Sequence, residues 1–144
     1  MTLQCTTTDR IRWSDVDPAG VVYYSRVFRF FDGAEEELFR SAGLASKDLL
    51  ARHSILLPRI SVTLQLRRPL RLGDCVTSHA RVLRIRRSHL LLGFELIRNS
   101  DGVRAATGKT LISCVDKDTF TVTALPRSIV AALTDDANAL GQGV

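Results

Sequence analysis

Residues 14–39 read SDVDPAGVVYYSRVFRFFDGAEEELF, an acidic turn that leads directly into an unusually apolar segment. Apolar side chains recur at helical spacing over about 23–42, and Gly43 stands where a helix C-terminal glycine belongs. The apolar side of this helix consists of Val27, Phe31, Ala34 and Leu38, and Phe28, Phe30 and Phe39 widen it. The polar side carries Glu35, Glu36 and Arg40. A helix of this kind needs apolar contact over most of its circumference, as if a sheet wrapped around it.

The rest of the chain has the period of β-strands. Residues 60–67 alternate between apolar and polar side chains, the pattern of a half-buried strand. Further strand-like runs lie at 5–13, 75–86, 89–98, 103–115 and 119–123, with short helices at 46–53 and after Pro126. The order predicts an α+β fold, in which an antiparallel sheet packs one face on a single central helix. Because one helix covers only part of such a sheet, we also expect self-association.

Length and charge narrow the class of protein. The 144 residues fit one domain, 1–144, whose last ten residues are expected to fray. The 20 basic residues, 17 arginines and 3 lysines, exceed the 15 acidic residues and give a net charge of +5. Arginine suits phosphate groups, although an arginine-rich chain can equally reflect genome composition. No nucleic-acid-binding signature accompanies the charge, so we expect no nucleic-acid partner.

The cysteines and the N-terminal segment indicate a compartment. Cys5, Cys75 and Cys114 are odd in number and lack metal-ligand spacing, so we expect three buried, unpaired thiols in a reducing cytosol. The sequence has neither the pattern of a signal peptide nor an apolar run that approaches about 20 residues. We therefore expect a soluble, cytoplasmic protein without a membrane partner.

The acid pair Asp15 and Asp17 is the first candidate for chemistry. If residues 13–17 are extended, both side chains point to the same side. Neighbouring carboxylates split their pKa values, and an aspartate against an apolar helix is desolvated and more basic, fit for a nucleophile or general base. The alternative is that each aspartate only caps a helix. No further carboxylate or histidine lies nearby to complete a metal site, so none is predicted.

The turn and the basic pairs offer further candidate sites. Gly20 lies just before the helix, where free amide groups favour negative charge and can hold an oxyanion, or it simply permits a tight turn. The pairs Arg86–Arg87 and Arg67–Arg68 lie at predicted strand ends, where they can clamp phosphates or remain solvated. The histidines pair with no serine or cysteine in a recognised nucleophile motif, and no GxSxG is present.

Two stretches carry a family resemblance. The segment DVDPAGVVYYSRVFRFFDGAEEELF closely resembles the opening motif of hot-dog fold acyl-CoA thioesterases of the 4-hydroxybenzoyl-CoA thioesterase type. In that family D-x-D-x-x-G-x-V-x-[YHF] enters the central helix. The segment RISVTLQLRRPLRLGD is similar to the family's strand that ends in a P-L-x-x-G-D turn. With the strands that follow, the resemblance spans about residues 7–125.

The resemblance implies a fold and a set of site residues. The resemblance implies that a curved antiparallel sheet wraps around the apolar helix. Asp17 attacks the thioester carbonyl or activates water to do so, and the backbone amide of Tyr24 holds the carbonyl oxygen. Gly20 shapes the turn, and Asp15 supports it.

The resemblance also implies a substrate and partners. The tyrosine at position 24 favours an aryl-CoA such as 4-hydroxybenzoyl-CoA, although residues 25–27 do not reproduce that branch and leave the acyl group open. Arg86 and Arg87, with Ser88 beside them, match a basic pair that meets the phosphates of coenzyme A. No cofactor is needed beyond the coenzyme A of the substrate, and the site is expected between subunits of a homodimer or homotetramer. Two alternatives remain: acyl groups on an acyl carrier protein as substrate, or a non-catalytic module that binds acyl-CoA.

Overall fold

A computed structural model describes residues 3–44 and 51–134. After the first strand, β1 (Gln4–Arg10), two short 3-10 turns (Trp13–Asp15 and Tyr24–Arg26) lead into the long helix α1 (Val27–Ser41). The later elements are β2 (Ile55–Leu56), β3 (Arg59–Leu66), β4 (Cys75–Ile85), β5 (His89–Arg98), β6 (Val103–Ser113), β7 (Val115–Asp116) and α2 (Arg127–Ala132). The predicted helix at 46–53 and the predicted fraying of 135–144 fall largely or wholly outside the described residues.

Five of the strands form one antiparallel sheet in the order β1-β4-β5-β6-β3, and β2 pairs with β7 beside it. Register shifts interrupt the pairing of β4 with β5, of β5 with β6 and of β3 with β6. Such bulges bend strands and increase their twist, which lets the sheet curve around α1. The predicted α+β class, a curved antiparallel sheet around one long helix, is confirmed.

Helix α1 buries its apolar side against this sheet. Phe31 stacks on Phe94 of β5 with ring centroids 5.0 Å apart. It also covers Gly108 of β6, where a Cβ atom would lie 2.8 Å from the Phe31 ring. The helix ends at a left-handed glycine, Gly43, with φ of +73°, and the amide of Leu44 closes the last turn on the carbonyl of Phe39. The predicted C-terminal glycine is therefore confirmed.

Strand β3 differs from the prediction of a half-buried strand. Its apolar side chains point to the same side of the sheet as α1, since Leu64 pairs with Gly108. Ile60, Val62 and Leu66 nevertheless remain 54%, 49% and 56% exposed in the single chain. The cause is position: β3 is the last strand of the sheet, α1 packs mainly on β1, β4 and β5, and the outer edge of β3 has no strand beside it among the described residues.

Three smaller expectations also fail. The run at 119–123 forms no strand and contributes one isolated bridge, between Val122 and Val115. Cys75 is exposed and Cys5 is half-buried, so only Cys114 is the buried thiol expected at all three positions. Cys75 is exposed because burial alternates along β4 and its side chain points to the face opposite that of the buried Val76. Within the described residues, no helix combines the length and apolar character needed to cross a membrane.

Candidate active site

The segment between β1 and α1 folds back on itself as a narrow hairpin. The amide of Asp17 donates to the carbonyl of Val21, and the amide of Gly20 donates to the carbonyl of Asp17, both at 2.9 Å. Gly20 has a φ of +78°, which a glycine adopts without steric cost. Residues 13–17 are not extended, because Trp13–Asp15 forms a 3-10 turn, so the condition under which the two aspartates would point to the same side is not met. Asp15 and Asp17 consequently have different surroundings.

Asp17 lies at the partly exposed start of the hairpin turn. Its Oδ1 atom accepts hydrogen bonds from the amides of Ala19 at 2.8 Å and Val21 at 3.3 Å. These bonds fix the carboxylate on its own turn rather than on the first turn of α1, so Asp17 does not cap the helix. Its other oxygen, Oδ2, accepts no hydrogen bond from the described residues. One carboxylate oxygen thus holds the turn while the other is free to meet a ligand.

Asp15 is buried, with 1% of its surface exposed. Arg29, in the first turn of α1, holds it through a two-pronged contact in which Nε donates to Oδ1 at 3.0 Å and Nη2 to Oδ2 at 2.7 Å. The amide of Arg12 donates to the same Oδ2 at 2.8 Å. A further Arg29 nitrogen, Nη1, reaches Asp9 at 2.8 Å. These contacts tie the 3-10 turn that holds Asp15 to the end of β1 and to the start of α1.

The surroundings of Asp15 also determine its charge. Burial alone would raise its pKa, but the hydrogen bonds from Arg29 and the Arg12 amide, with the positive charge of Arg29, outweigh burial and hold the pKa of Asp15 below its usual value. Burial would also raise the pKa of Asp9, but hydrogen bonds from the Arg10 amide and from Arg29, with the charge of Arg29, hold that pKa below its usual value. The expectation of a desolvated, more basic carboxylate is therefore wrong for Asp15, because that expectation omitted Arg29.

Sequence reasoning missed Arg29, because the helical pattern gives no signal for it. Arg29 falls on the polar side of α1 with Glu36 and Arg40, opposite the buried stripe, so the pattern predicts a solvated side chain. The acids that precede the helix, Asp9 and Asp15, are its partners in the structure.

The start of the helix offers a free hydrogen-bond donor. The amide of Tyr23 donates to the backbone carbonyl of Asp15 at 2.8 Å. Tyr24 is the first residue of the 3-10 turn that opens into α1, so its amide has no carbonyl in the preceding turn. It donates to no acceptor within the part of the chain that the structure describes. The donor that the resemblance assigns to the thioester oxygen is thus left available for a ligand.

A cleft of about 240 Å³ opens beside the hairpin. Its lining is mostly apolar and consists of Val21, Val22, Val27, Leu66, Pro69, Leu70, Ala105 and Ala106, together with Arg67 and Arg68. The amide of Val22 donates to the carbonyl of Leu70 at 2.8 Å, which joins the hairpin to one wall of the cleft. An apolar group can therefore lie in the cleft close to Asp17 and the start of α1.

The predicted phosphate-binding residues are not part of this cleft. Arg86, Arg87 and Ser88 form the tight turn between β4 and β5. The Asp17 hairpin lies near the start of β4, because Ile11 just before it pairs with Asp74. The 11 residues of β4 separate the two ends by roughly 33 Å. A single chain therefore does not bring Arg86 and Arg87 together with Asp17.

The remaining titratable residues add no metal centre. Among residues 3–44 and 51–134, no three histidine, cysteine, aspartate or glutamate side chains are close enough to hold a metal ion. In the part of the chain that the structure describes, the shorter contact between a serine and a histidine is that of Ser88 Oγ with His89 Nδ1 at 2.9 Å, which joins adjacent residues at the β4–β5 turn.

The fold and the sequence both have known relatives. A 1,4-dihydroxy-2-naphthoyl-CoA thioesterase from Synechocystis superposes with a TM-score of 0.85, over 92% of this chain and 96% of the other, at 19% identity. That likeness defines the class of fold, a hot-dog domain. The sequence matches the thioesterase-like superfamily over residues 11–133, and the chain belongs to this family. The predicted family and the predicted class of enzyme, a thioester hydrolase, are confirmed at this level.

Individual relatives are more distant. The chain is 27% identical over 122 residues to an acyl-CoA thioester hydrolase, YbgC, from Escherichia coli, across 85% of this chain and 90% of the relative. It is 26% identical over 120 residues to a 1,4-dihydroxy-2-naphthoyl-CoA hydrolase from Synechococcus elongatus, across 83% of this chain and 87% of that protein.

Proposed function

We propose that the protein hydrolyses acyl-CoA thioesters to a free acid and coenzyme A. The observation that carries this proposal is the pairing of two free groups on one hairpin. Asp17 has an uncommitted carboxylate oxygen, and the Tyr24 amide has no acceptor in the described chain. An anionic nucleophile or base beside a preorganised backbone donor is what acyl transfer requires. The names of the relatives, acyl-CoA and aryl-CoA hydrolases, support the same chemistry.

The reaction can follow either of two balanced routes. As a general base, Asp17 takes a proton from water, the hydroxide adds to the thioester carbon, and the oxyanion forms against the Tyr24 amide. Collapse then expels the coenzyme A thiolate, which takes the proton from Asp17. As a nucleophile, the carboxylate oxygen itself adds, the thiolate leaves and is protonated by solvent, and water hydrolyses the resulting anhydride. A single turnover in ¹⁸O-labelled water places label in Asp17 only by the second route.

We further propose an aryl-CoA, such as 4-hydroxybenzoyl-CoA, as the preferred substrate. The tyrosine at position 24 and the naphthoyl-CoA hydrolases among the relatives support this preference. The mostly apolar cleft can take an aromatic ring. An assay that traps the released thiol, run over aryl-CoA, aliphatic acyl-CoA and acyl carrier protein esters, tests it. Higher kcat/KM for the aryl esters is the expected result, and a preference for the carrier protein ester identifies the alternative.

Absence of turnover would separate binding from catalysis. If no ester in the panel is hydrolysed while acyl-CoA binds, the protein is a non-catalytic binding module and the proposed activity is wrong.

We place the activity in the cytoplasm, in keeping with coenzyme A as part of the substrate.

We also propose that the working site lies between two subunits. Pantetheine has about thirteen bonds between sulfur and the first phosphorus, as many as four residues of backbone, and extends about 15 Å. A thioester held at Asp17 therefore cannot bring its pyrophosphate to Arg86 and Arg87 of the same chain. A partner subunit can supply this pair. The uncovered edge of β3, with Val62 and Leu66 exposed, is surface that a homodimer or homotetramer would bury.

Mixed dimers test this arrangement directly. One chain carries Asp17→Asn and the other carries Arg86→Ala with Arg87→Ala. Alone, the first should be inactive, and the second should have a raised KM with little change in kcat, because distant phosphate contacts bind ground and transition states alike. In the mixed dimer, an intact Asp17 meets an intact arginine pair only if the site is shared. Return of low-KM turnover on mixing supports the proposal, and its absence with proven subunit exchange contradicts it.

A further inference from the structure

Arg29 is the residue of the described chain that ties the end of β1, the 3-10 turn and the start of α1 together. Its three contacts with Asp15 and Asp9 are called the Arg29 clamp here. We propose that Arg29 is a positioning residue for thioester hydrolysis, because the clamp holds Asp15 where its backbone commits the Tyr23 amide and leaves the Tyr24 amide aimed at the substrate. This inference rests on the proposed function.

The shape of the Arg29 clamp restricts which side chain can form it. Arg29 uses one edge of its guanidinium, Nε and Nη2, for the two oxygens of Asp15 at 3.0 and 2.7 Å. Its remaining nitrogen, Nη1, reaches Asp9 at 2.8 Å. The plane is further supported by Phe30, whose ring centroid lies 4.2 Å from the guanidinium carbon. Only a planar group with several fixed donors can make these contacts together, so a lysine cannot replace it.

The clamp also fixes the backbone next to Asp15. The side chain of Asp15 is held by Arg29 and by the amide of Arg12 at 2.8 Å, so the residue is fixed on both sides. Its carbonyl oxygen accepts the amide of Tyr23 at 2.8 Å. That bond fixes the peptide plane on the N-terminal side of residue 23. The carbonyl of Tyr23, which shares a peptide plane with the Tyr24 amide, accepts the amide of Arg26 at 2.8 Å, so residue 23 is held on both sides and the Tyr24 amide is oriented with it.

The position of the Tyr24 amide affects the rate of the reaction. A hydrogen-bond donor that stabilises an oxyanion acts only within a narrow range of distance, and a displacement of about 1 Å can reduce a rate about 10²-fold. Loss of the clamp would free Asp15 to rotate and release the Tyr23 amide. The expected consequence is a misplaced Tyr24 donor in a protein that is otherwise folded. A purely structural ion pair would lower stability without changing turnover per folded molecule.

The test compares Arg29→Ala and Arg29→Lys with Arg40→Ala. Arg40 lies at the other end of the same helix and makes an exposed ion pair with Glu37, so its loss removes the same charge away from the turn. The first readout is amide hydrogen exchange by NMR in the free protein. We expect exchange of the Tyr23 amide to rise about tenfold or more in both Arg29 variants. It should not change in Arg40→Ala, and the amide of Leu92 in β5 should not change in any variant.

The second readout is kcat and KM, measured well below each melting temperature. Both Arg29 variants should lose about 10- to 100-fold in kcat while KM changes less than about threefold. Unchanged kcat with fast Tyr23 exchange would overturn the proposal, and so would reduced kcat with unchanged exchange. If Arg29→Ala does not fold, Arg29→Lys carries both readouts. If the wild type hydrolyses no ester, the proposed function fails, while the exchange readout still reports whether the clamp holds Tyr23.

Discussion

Replacing Asp15 by asparagine tests whether the buried carboxylate organises the site. The carboxylate accepts three hydrogen bonds, two from Arg29 and one from the Arg12 amide, and an asparagine carbonyl keeps one acceptor without the charge. Breaking a buried ion pair costs about 3–5 kcal/mol. Because Arg29 remains 31% exposed and keeps Asp9, the loss lies at the low end, about 3 kcal/mol. For a domain of this size that lowers the melting temperature by about 9 °C.

The control is Asp9→Asn. Asp9 binds the same guanidinium but is 34% exposed, so solvent screens the pair and its loss should cost about 1 kcal/mol or less. Thermal unfolding of both variants and the wild type, repeated from pH 7 down to pH 3, measures the difference. Equal losses from the two variants would refute the reasoning.

The stability that the Asp15 carboxylate contributes should fall as the pH is lowered. The folded pKa of Asp15 lies below its unfolded value, so its ionisation stabilises the fold. This stabilisation is present above the unfolded pKa of about 3.9 and is lost as the pH falls through the lower, folded value. The difference in stability between the wild type and Asp15→Asn should therefore hold from pH 7 to about pH 4 and begin to narrow below that pH, towards the lower, folded pKa. A gap that stays constant down to pH 3 or grows there would also refute the reasoning.

Two further predictions concern the packing of α1. Burial raises the pKa of Glu35 despite its ion pair with Arg59. The stability of the wild type relative to Glu35→Gln, measured by urea unfolding, should therefore be highest below about pH 4.3 and fall as the pH rises through the folded pKa. A relative stability that grows with pH would contradict this. Gly108→Ala should cost about 1–3 kcal/mol, since its Cβ would press on the Phe31 ring and on the backbone carbonyl of Thr63. Gly93→Ala should cost less, since its Cβ meets only the side chain of Leu83, which is partly exposed and can move away. Equal costs in the same unfolding assay would count against the packing.

Local pattern predicted most of the fold. The helical stripe placed α1 within a few residues, although the helix proper begins at Val27 after a 3-10 turn. The long runs at 75–86 and 89–98 match β4 and β5 closely. What the pattern could not supply was the position of a strand in the sheet. The alternation in β3 is real, but only the strand order puts that strand at an uncovered edge.

The sequence predicted which residues form the turn of the site, but not the contacts that reach it from other elements. The hairpin of Asp17 and Gly20 follows from a short local motif, so its residues could be named from the sequence. The role of Asp15 depends on Arg29, fourteen positions away on another element, and no local pattern reveals that contact. The distance between Asp17 and Arg86 was likewise out of reach, because a family motif names residues without saying which subunit supplies each of them.

The most direct test of the central claim is the turnover of Asp17→Asn. Asparagine keeps the oxygen that accepts the Ala19 amide, so the variant should fold and assemble, with a melting temperature within about 3 °C of the wild type. Acyl-CoA binding, measured by calorimetry, should persist. Without a nucleophile or base, kcat should fall about 10²-fold or more. A folded Asp17→Asn protein that binds acyl-CoA and keeps most of its turnover would contradict the account.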